Sequence, residues 1–223
     1  MKHIALLTTL LLSASLQAVE KPYDYVFFEN SLMKGDYFYS QAKYTSPSWI
    51  KNARHHLPVA GSVAFTPGNS LELTYVSAPG GDWYSEIQYC PVRGNDFFRE
   101  PSTLSMQVRL RESMNAAALP NIAIRYADST YTQYLNLRNY LKDTRPGVWH
   151  SVSIPLEDFG LNAVNDTNIK KLAAVALRPG TADGNEYTIY LDDIELLPAS
   201  LPSVSALNAP VLQEAKAYES HID

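Results

Sequence analysis

The sequence predicts an all-β chain folded as an antiparallel β-sandwich of the jelly-roll kind. Three observations carry this reading. Short segments alternate apolar and polar residues with period two, Gly and Pro punctuate nearly every gap between them, and no stretch sustains an apolar repeat at helical spacing.

The chain of 223 residues opens with Lys2 and His3, an apolar run over residues 4–12 and a small-residue exit, Ser15-Leu16-Gln17-Ala18. That order is a secretory leader over residues 1–18, cut after Ala18. The run is shorter than the roughly 20 residues a membrane helix needs, and no later segment approaches that length, so no membrane span is expected. Val19 rather than a cysteine follows the cut, and Cys90 is the sole cysteine, so neither a lipid anchor nor an intrachain disulfide is expected. Export without disulfides suits a Gram-negative periplasm, with secretion or the cell surface as alternatives. The net charge of −5, from 18 basic and 23 acidic residues, offers no basic face for nucleic acid.

Leu71, Leu73 and Tyr75 alternate with Glu72 and Thr74, and Leu104, Met106, Val108 and Leu110 alternate with Ser105, Gln107 and Arg109. Both segments read as strands with one buried face. Ile122, Ile124 and Tyr126 lead through a turn at Asp128-Ser129 into a return strand over residues 131–137, a hairpin. Val152 and Ile154 mark another strand, residues 173–177 a short apolar one, and residues 187–197 the last. Asp166 is placed to cap a helical turn over residues 166–172. One domain is expected over residues 19–198. Residues 199–206 have linker composition, and apolar alternation returns from Ala209 and reads as the first strand of another domain.

Catalytic motifs are missing: there is no Gly-x-Ser-x-Gly elbow, no phosphate-cradling loop and no Cys or His pair at zinc spacing. His55 and His56 are neighbours, which on a strand would point to opposite faces, so an exposed loop is the better reading. Cys90 has no basic activator nearby in sequence. Trp49 and Trp149 read as core or rim packing.

The last strand holds the most informative local feature. Ile189 and Leu191 share one parity, Ile194 and Leu196 the other, so a bulge at Asp192-Asp193 would keep all four buried. Free carbonyls beside two carboxylates make the oxygen-rich shell that calcium prefers. The alternative is solvated acids blunting an edge strand.

Four stretches, Phe27-Phe28-Glu29-Asn30, Gly147-Val148-Trp149-His150-Ser151-Val152-Ser153-Ile154-Pro155-Leu156, Ile169-Lys170-Lys171-Leu172 and Ile189-Tyr190-Leu191-Asp192-Asp193-Ile194-Glu195-Leu196, together resemble the jelly-roll carbohydrate-binding modules of bacterial polysaccharide-degrading enzymes. The resemblance implies a structural calcium tying Glu29 of the first strand to Asp193 of the last, with Asp192 assisting. More narrowly, Phe28-Glu29-Asn30-Ser31-Leu32-Met33-Lys34-Gly35-Asp36-Tyr37-Phe38-Tyr39-Ser40, Ser46-Pro47-Ser48-Trp49-Ile50-Lys51-Asn52 and Thr66-Pro67-Gly68-Asn69-Ser70-Leu71-Glu72-Leu73 resemble the amino-terminal sandwich of Bacteroidota glucoamylase-like proteins. Those proteins include β-1,2-glucan-degrading hydrolases and continue through a fibronectin-like segment, whose start residues 199–223 resemble, into a catalytic domain. The resemblance implies a glucan polysaccharide or oligosaccharide and a downstream catalytic domain as partners, and no catalytic residues in this chain.

Sugar-binding sandwiches stack aromatic rings on pyranose faces. Opposite the core parity lie Glu86, Gln88, Arg125, Tyr134, Asn136 and Arg178, with Trp83 and Tyr84 edging the face from the loop after Pro79-Gly80-Gly81. These eight are the expected ligand-binding residues. Three functions are open at this point: a non-catalytic glycan-binding module, a spacer that packs on and orients a hydrolase domain through that same face, and a stand-alone jelly-roll hydrolase or lyase.

Overall fold

The structure, a computed structural model, describes residues 25–89, 101–161 and 171–198. The leader, Cys90, most of the proposed helical turn, the linker and the terminal strand lie outside the described residues. Within them run β1 (Tyr25–Phe28), β2 (Ser40–Thr45), β3 (Trp49–Ile50), β4 (Val59–Ala60), β5 (Ser70–Val76), β6 (Asp82–Gln88), β7 (Pro101–Leu110), β8 (Asn121–Tyr126), β9 (Leu135–Asn136), β10 (Trp149–Pro155), β11 (Leu172–Arg178) and β12 (Glu186–Pro198).

The strands form two antiparallel sheets. One runs β10-β7-β12-β5-β3, with β1 also paired to β12 and β4 to β5; the other runs β2-β6-β11-β8-β9. The period-two segments do what their pattern requires: Leu71, Leu73, Tyr75, Leu104, Met106, Val108 and Leu110 are fully buried from one sheet. Trp83, Ile87, Ile122, Ile124, Val175 and Leu177 meet them from the other.

The bulge in β12 is present. Between Asp192 and Glu195 the strand advances three residues while β7 advances two, from Gln107 to Ser105, and Asp193 takes φ +46°. Ile189, Leu191, Ile194 and Leu196 all stay buried across it.

The hairpin after β8 is real but its return arm is broken. Arg125 bridges to Tyr131, and Leu135 and Asn136 pair with Ile122 and Asn121, with no ladder between. The histidines sit in a tight turn: Ala53 bridges to His56, His55 is exposed at φ +69°, and His56 Nδ1–H donates to the Ser40 carbonyl. Trp49 and Trp149 are half-buried rim residues.

Trp83 corrects one expectation. Strand β6 begins at Asp82, immediately after the Gly80-Gly81 turn, so Trp83 shares inward parity with Ser85 and Ile87 and is 1% exposed. Its Nε1–H donates to Ser77 Oγ at 2.9 Å and its ring packs 4.8 Å from that of Tyr75. Gly81 is required there, because a Cβ would lie 2.2 Å from the Ser48 amide nitrogen. Trp83 is core, not ligand surface. Trp83→Ala is expected to lower the unfolding free energy by about 3–5 kcal/mol in chemical denaturation; a loss below about 1 kcal/mol would mean that the ring is not packed this way.

Candidate functional site

The outward face of the five-stranded sheet is built by its register. Glu86 of β6 lies opposite Gln41 of β2 and Ala176 of β11, and Ala176 lies opposite Ala123 of β8. One row along, Gln88 pairs with Ala174 and Ala174 with Arg125; in the other direction Arg178 pairs with Asn121 and Asn121 with Asn136. Alternation then brings Tyr84, Glu86 and Gln88 to the same side as Arg125, Arg178 and Asn136.

The middle of this face is made of alanines, and that allows the long side chains on either side to meet. Ala123, Ala174 and Ala176 have no exposed surface. Across them, Arg125 Nε reaches within 2.8 Å of Glu86 Oε1, and Tyr131 donates its hydroxyl to the same oxygen at 3.0 Å. Glu86 is only 2% exposed. A carboxylate this buried requires such partners. Burial, followed by hydrogen bonding to Glu86 and its charge, raises the Tyr131 hydroxyl above its ordinary range; burial and the Glu86 charge do the same for Tyr84. Both remain neutral phenols.

At the next row Arg178 ties the rim together. Its Nε–H donates to Tyr134 Oη at 3.1 Å, and its Nη1 donates to Asp82 Oδ2 at 3.1 Å. The guanidinium carbon also sits 5.8 Å from the ring centroids of both Tyr84 and Tyr134. Tyr131 and Tyr134 stack at 5.9 Å and 28°. The result is a cross-linked surface of three tyrosines and two arginines, with Tyr134 36% exposed at its outer edge.

A second polar constellation lies at the β12 bulge. Asp192 is fully buried, and its carboxylate accepts from the backbone N–H groups of Phe65 (2.8 Å), Thr66 (3.2 Å) and Asp193 (2.9 Å). Burial pushes the Asp192 carboxyl up to about 6, those N–H groups oppose the rise, and the Asp193 charge adds to it. Asp193 Oδ2 accepts from Thr66 Oγ1 at 2.7 Å, while its Oδ1 is buried without a hydrogen-bond partner, as is Asn30 Oδ1. Phe28 pairs with Ile194 in antiparallel register, so one further step sets Glu29 beside Asp193.

Comparison with known proteins decides the family. The sequence profile of carbohydrate binding domain 30 matches residues 24–197. The chain belongs to this carbohydrate-binding family. It is 99% identical over all 223 residues to an exo beta-1,2-glucooligosaccharide sophorohydrolase (non-reducing end) of Parabacteroides distasonis, of which it spans 31%. It is also similar to the crystal structure of a beta-1,2-glucanase from Parabacteroides distasonis, at 99% identity and TM-score 0.80, covering 82% of this chain and 26% of that one. The family 30 carbohydrate-binding module of a Clostridium thermocellum cellulosomal cellulase shares the fold at 17% identity and TM-score 0.56, covering 80% of this chain and 99% of that module. The chain is thus a carbohydrate-binding β-sandwich spanning under a third of its hydrolase relative.

Of the residues expected from sequence to bind ligand, Tyr84, Glu86, Gln88, Arg125, Tyr134 and Arg178 do gather on one face of the module. Trp83 leaves the set as core. Asn136 stands at the edge with its amide committed, since Nδ2 donates to Leu119 O and Asn121 Oδ1 while Oδ1 accepts from the Arg138 N–H. Sequence reasoning missed Tyr131, which joins the face only through a contact across strands, and Asp82, which shares the parity of Tyr84, Glu86 and Gln88 once β6 is seen to begin there. It also missed Asn30 at the bulge, where its place directly after Glu29 was the available signal. Among the described residues no group of three or more His, Cys, Asp or Glu side chains assembles as a metal cage, and no helix is long and apolar enough to cross a membrane.

The alanine floor has a direct test. Ala176→Leu would intrude between Glu86 and Arg125, and overpacking of this kind costs about 1–3 kcal/mol. Thermal denaturation is expected to show that loss together with weaker ligand binding. Unchanged stability would mean that the side chains do not cross above Ala176.

Proposed function

We propose that this module is a non-catalytic glucan-binding part of a β-1,2-glucan-degrading hydrolase, and that it holds the glycan on the Tyr84–Tyr134–Arg178 face. The observation that carries the reading is the rigid aromatic and guanidinium surface itself, on a sheet of a domain whose family binds carbohydrate. Tyrosine rings offer apolar faces to the C–H side of a pyranose, and the flanking Arg178, Asp82 and Gln88 supply donors and acceptors for its hydroxyls. The linkage is argued from the relative named for beta-1,2-glucooligosaccharides, of which this chain spans part.

The partners of the carboxylates support binding without hydrolysis. A glycosidase needs one carboxyl to give a proton and a second to act at the anomeric carbon or on water. The two carboxylates of this face, Asp82 and Glu86, are each held by an arginine. The leader composition supports action outside the cytoplasm, in the periplasm or at the cell surface, where polymeric glucan is met.

Titration calorimetry of the chain with β-1,2-glucan oligosaccharides is expected to show binding tighter than about 1 mM. Tyr134→Ala and Arg178→Ala should each weaken it by roughly tenfold, the loss of about 1.4 kcal/mol of stacking or charge-assisted hydrogen bonding. Absence of heat with every glucan tested would remove the reading.

The same proposal includes a structural calcium at the β12 bulge. Glu29 and Asp193 would supply carboxylate oxygens and Asn30 its amide oxygen, all hard ligands of the type calcium takes. The buried, unpartnered Asn30 Oδ1 and Asp193 Oδ1 are what a bound cation would satisfy. Asp192, its oxygens engaged by three N–H groups, serves to fix the Phe65-Thr66 loop rather than to meet the ion. A cation held only by the folded state stabilises it by mass action. Removal of calcium with chelator should therefore lower the melting temperature, and readdition should restore it. Identical melting with and without chelator, in protein shown to be metal-free, would refute the site.

A further inference from the structure

The opposite, seven-stranded sheet carries an outward cluster that the glycan face leaves unused. Register places Trp149 of β10 beside Arg109 of β7, Arg109 beside Tyr190 of β12, and Tyr190 beside Glu72 of β5, one row across four strands. Glu72 is closed off by Lys51, 2.7 Å away. Arg109 is not: it is half-buried between two aromatic residues, and among the described residues it has no hydrogen-bond or ion-pair partner. Phe65 stands over this row, its ring 6.0 Å from that of Trp149 at 69° and still 49% exposed, with Val148 beside it 42% exposed.

Phe65 is held there by construction. Its own N–H and that of Thr66 are anchored on the buried Asp192 carboxylate, so the exposed ring is presented from a fixed backbone. A pre-positioned aromatic residue next to a tryptophan and an arginine lacking an acceptor has the composition of an interface hot spot.

We infer that this surface docks the hydrolase portion that follows the module in the longer relative, with Phe65 entering an apolar pocket and Arg109 meeting a carboxylate. Three facts argue for that occupant. The chain is 99% identical to, and spans only 31% of, a hydrolase whose remaining mass must sit against or beside this sandwich. The polypeptide leaves the sandwich from β12, the central strand of this same sheet. From Pro198 back to Tyr190 is eight residues of strand, roughly 26 Å, and the ten residues from 199 to 208 (208 − 198) that precede the next expected strand can span up to roughly 33 Å. Docking on this side also leaves the glycan face of the other sheet open, so the two functions do not compete.

Hydroxyl-radical footprinting of the 223-residue chain and of the longer hydrolase tests the surface side chain by side chain. Oxidation of Phe65 and Trp149 is expected to fall about fivefold in the longer protein, as a ring 49% exposed enters an interface core, while Tyr134 keeps its reactivity. In the longer protein Phe65→Ser and Arg109→Glu should each return Trp149 to the reactivity of the shorter chain, and Arg109→Lys should do so only in part. None of the three substitutions should alter glucan affinity in calorimetry, so this inference and the glycan-face reading fail separately. Equal oxidation of Phe65 and Trp149 in the two proteins overturns it. Protection of the same residues in the short chain by added glucan also overturns it, in favour of a second sugar platform.

Discussion

The extra residue in β12 at Asp192-Asp193 is the constraint on which most of the molecule depends. β12 is the central strand of the larger sheet, paired with β5 over its first half and with β1 over its second. Without the bulge, a strict period of two would turn either Ile189 and Leu191 or Ile194 and Leu196 to solvent. With it, four apolar side chains reach the core, and the exposed backbone at the break is occupied by loops. Asp192 takes up the N–H groups of Phe65 and Thr66, and the Asn30 region closes against Gly68, where a Cβ would lie 2.5 Å from the Asn30 amide. One irregularity thus keeps the core sealed, leaves a buried oxygen of Asp193 without a hydrogen-bond partner and fixes the loop that carries Phe65.

The aromatic face of the five-stranded sheet rests on a different principle. Its strongest contacts are made between its own members, Glu86 with Arg125 and Tyr131, and Arg178 with Asp82 and Tyr134. Such a network freezes rotamers on folding, so the proposed binding of a sugar here would meet a surface whose ordering entropy has already been lost. The arrangement also explains why two arginines can sit on a sheet of a protein with net charge −5 without forming a basic patch: each is locally neutralised.

The fold was legible because burial imposes period two. Leu71-Leu73-Tyr75 and Leu104-Met106-Val108-Leu110 cannot be read otherwise, and the parity break at Asp192-Asp193 could be deduced from four apolar residues alone. The site was legible only where it followed from parity within a strand, as for Tyr84, Glu86 and Gln88. Trp83 was misassigned because the Pro79-Gly80-Gly81 turn conceals that β6 already begins at Asp82; read as loop, Trp83 escapes the parity that in the strand turns it inward with Ser85 and Ile87. Tyr131 was overlooked because its hydroxyl meets Glu86 from 45 residues away, a pairing set by strand order and register that no local pattern encodes. The same holds for Arg109, set beside Trp149 by the pairing of β10 with β7, and for Phe65, whose N–H is anchored on Asp192 at the bulge.

The alanine floor divides the aromatic face into two parts that can change at different rates. Ala123, Ala174 and Ala176 lie beneath crossing side chains with no exposed surface, so a larger residue at any of them disturbs several partnered groups together. Arg178, Tyr134 and Asp82 stand at the rim, where a change breaks side-chain hydrogen bonds only within this set of three. Divergence among descendants of this surface would then run along its margin while the centre stays fixed, and new sugar preferences would arise by redrawing an outline rather than by rebuilding the platform.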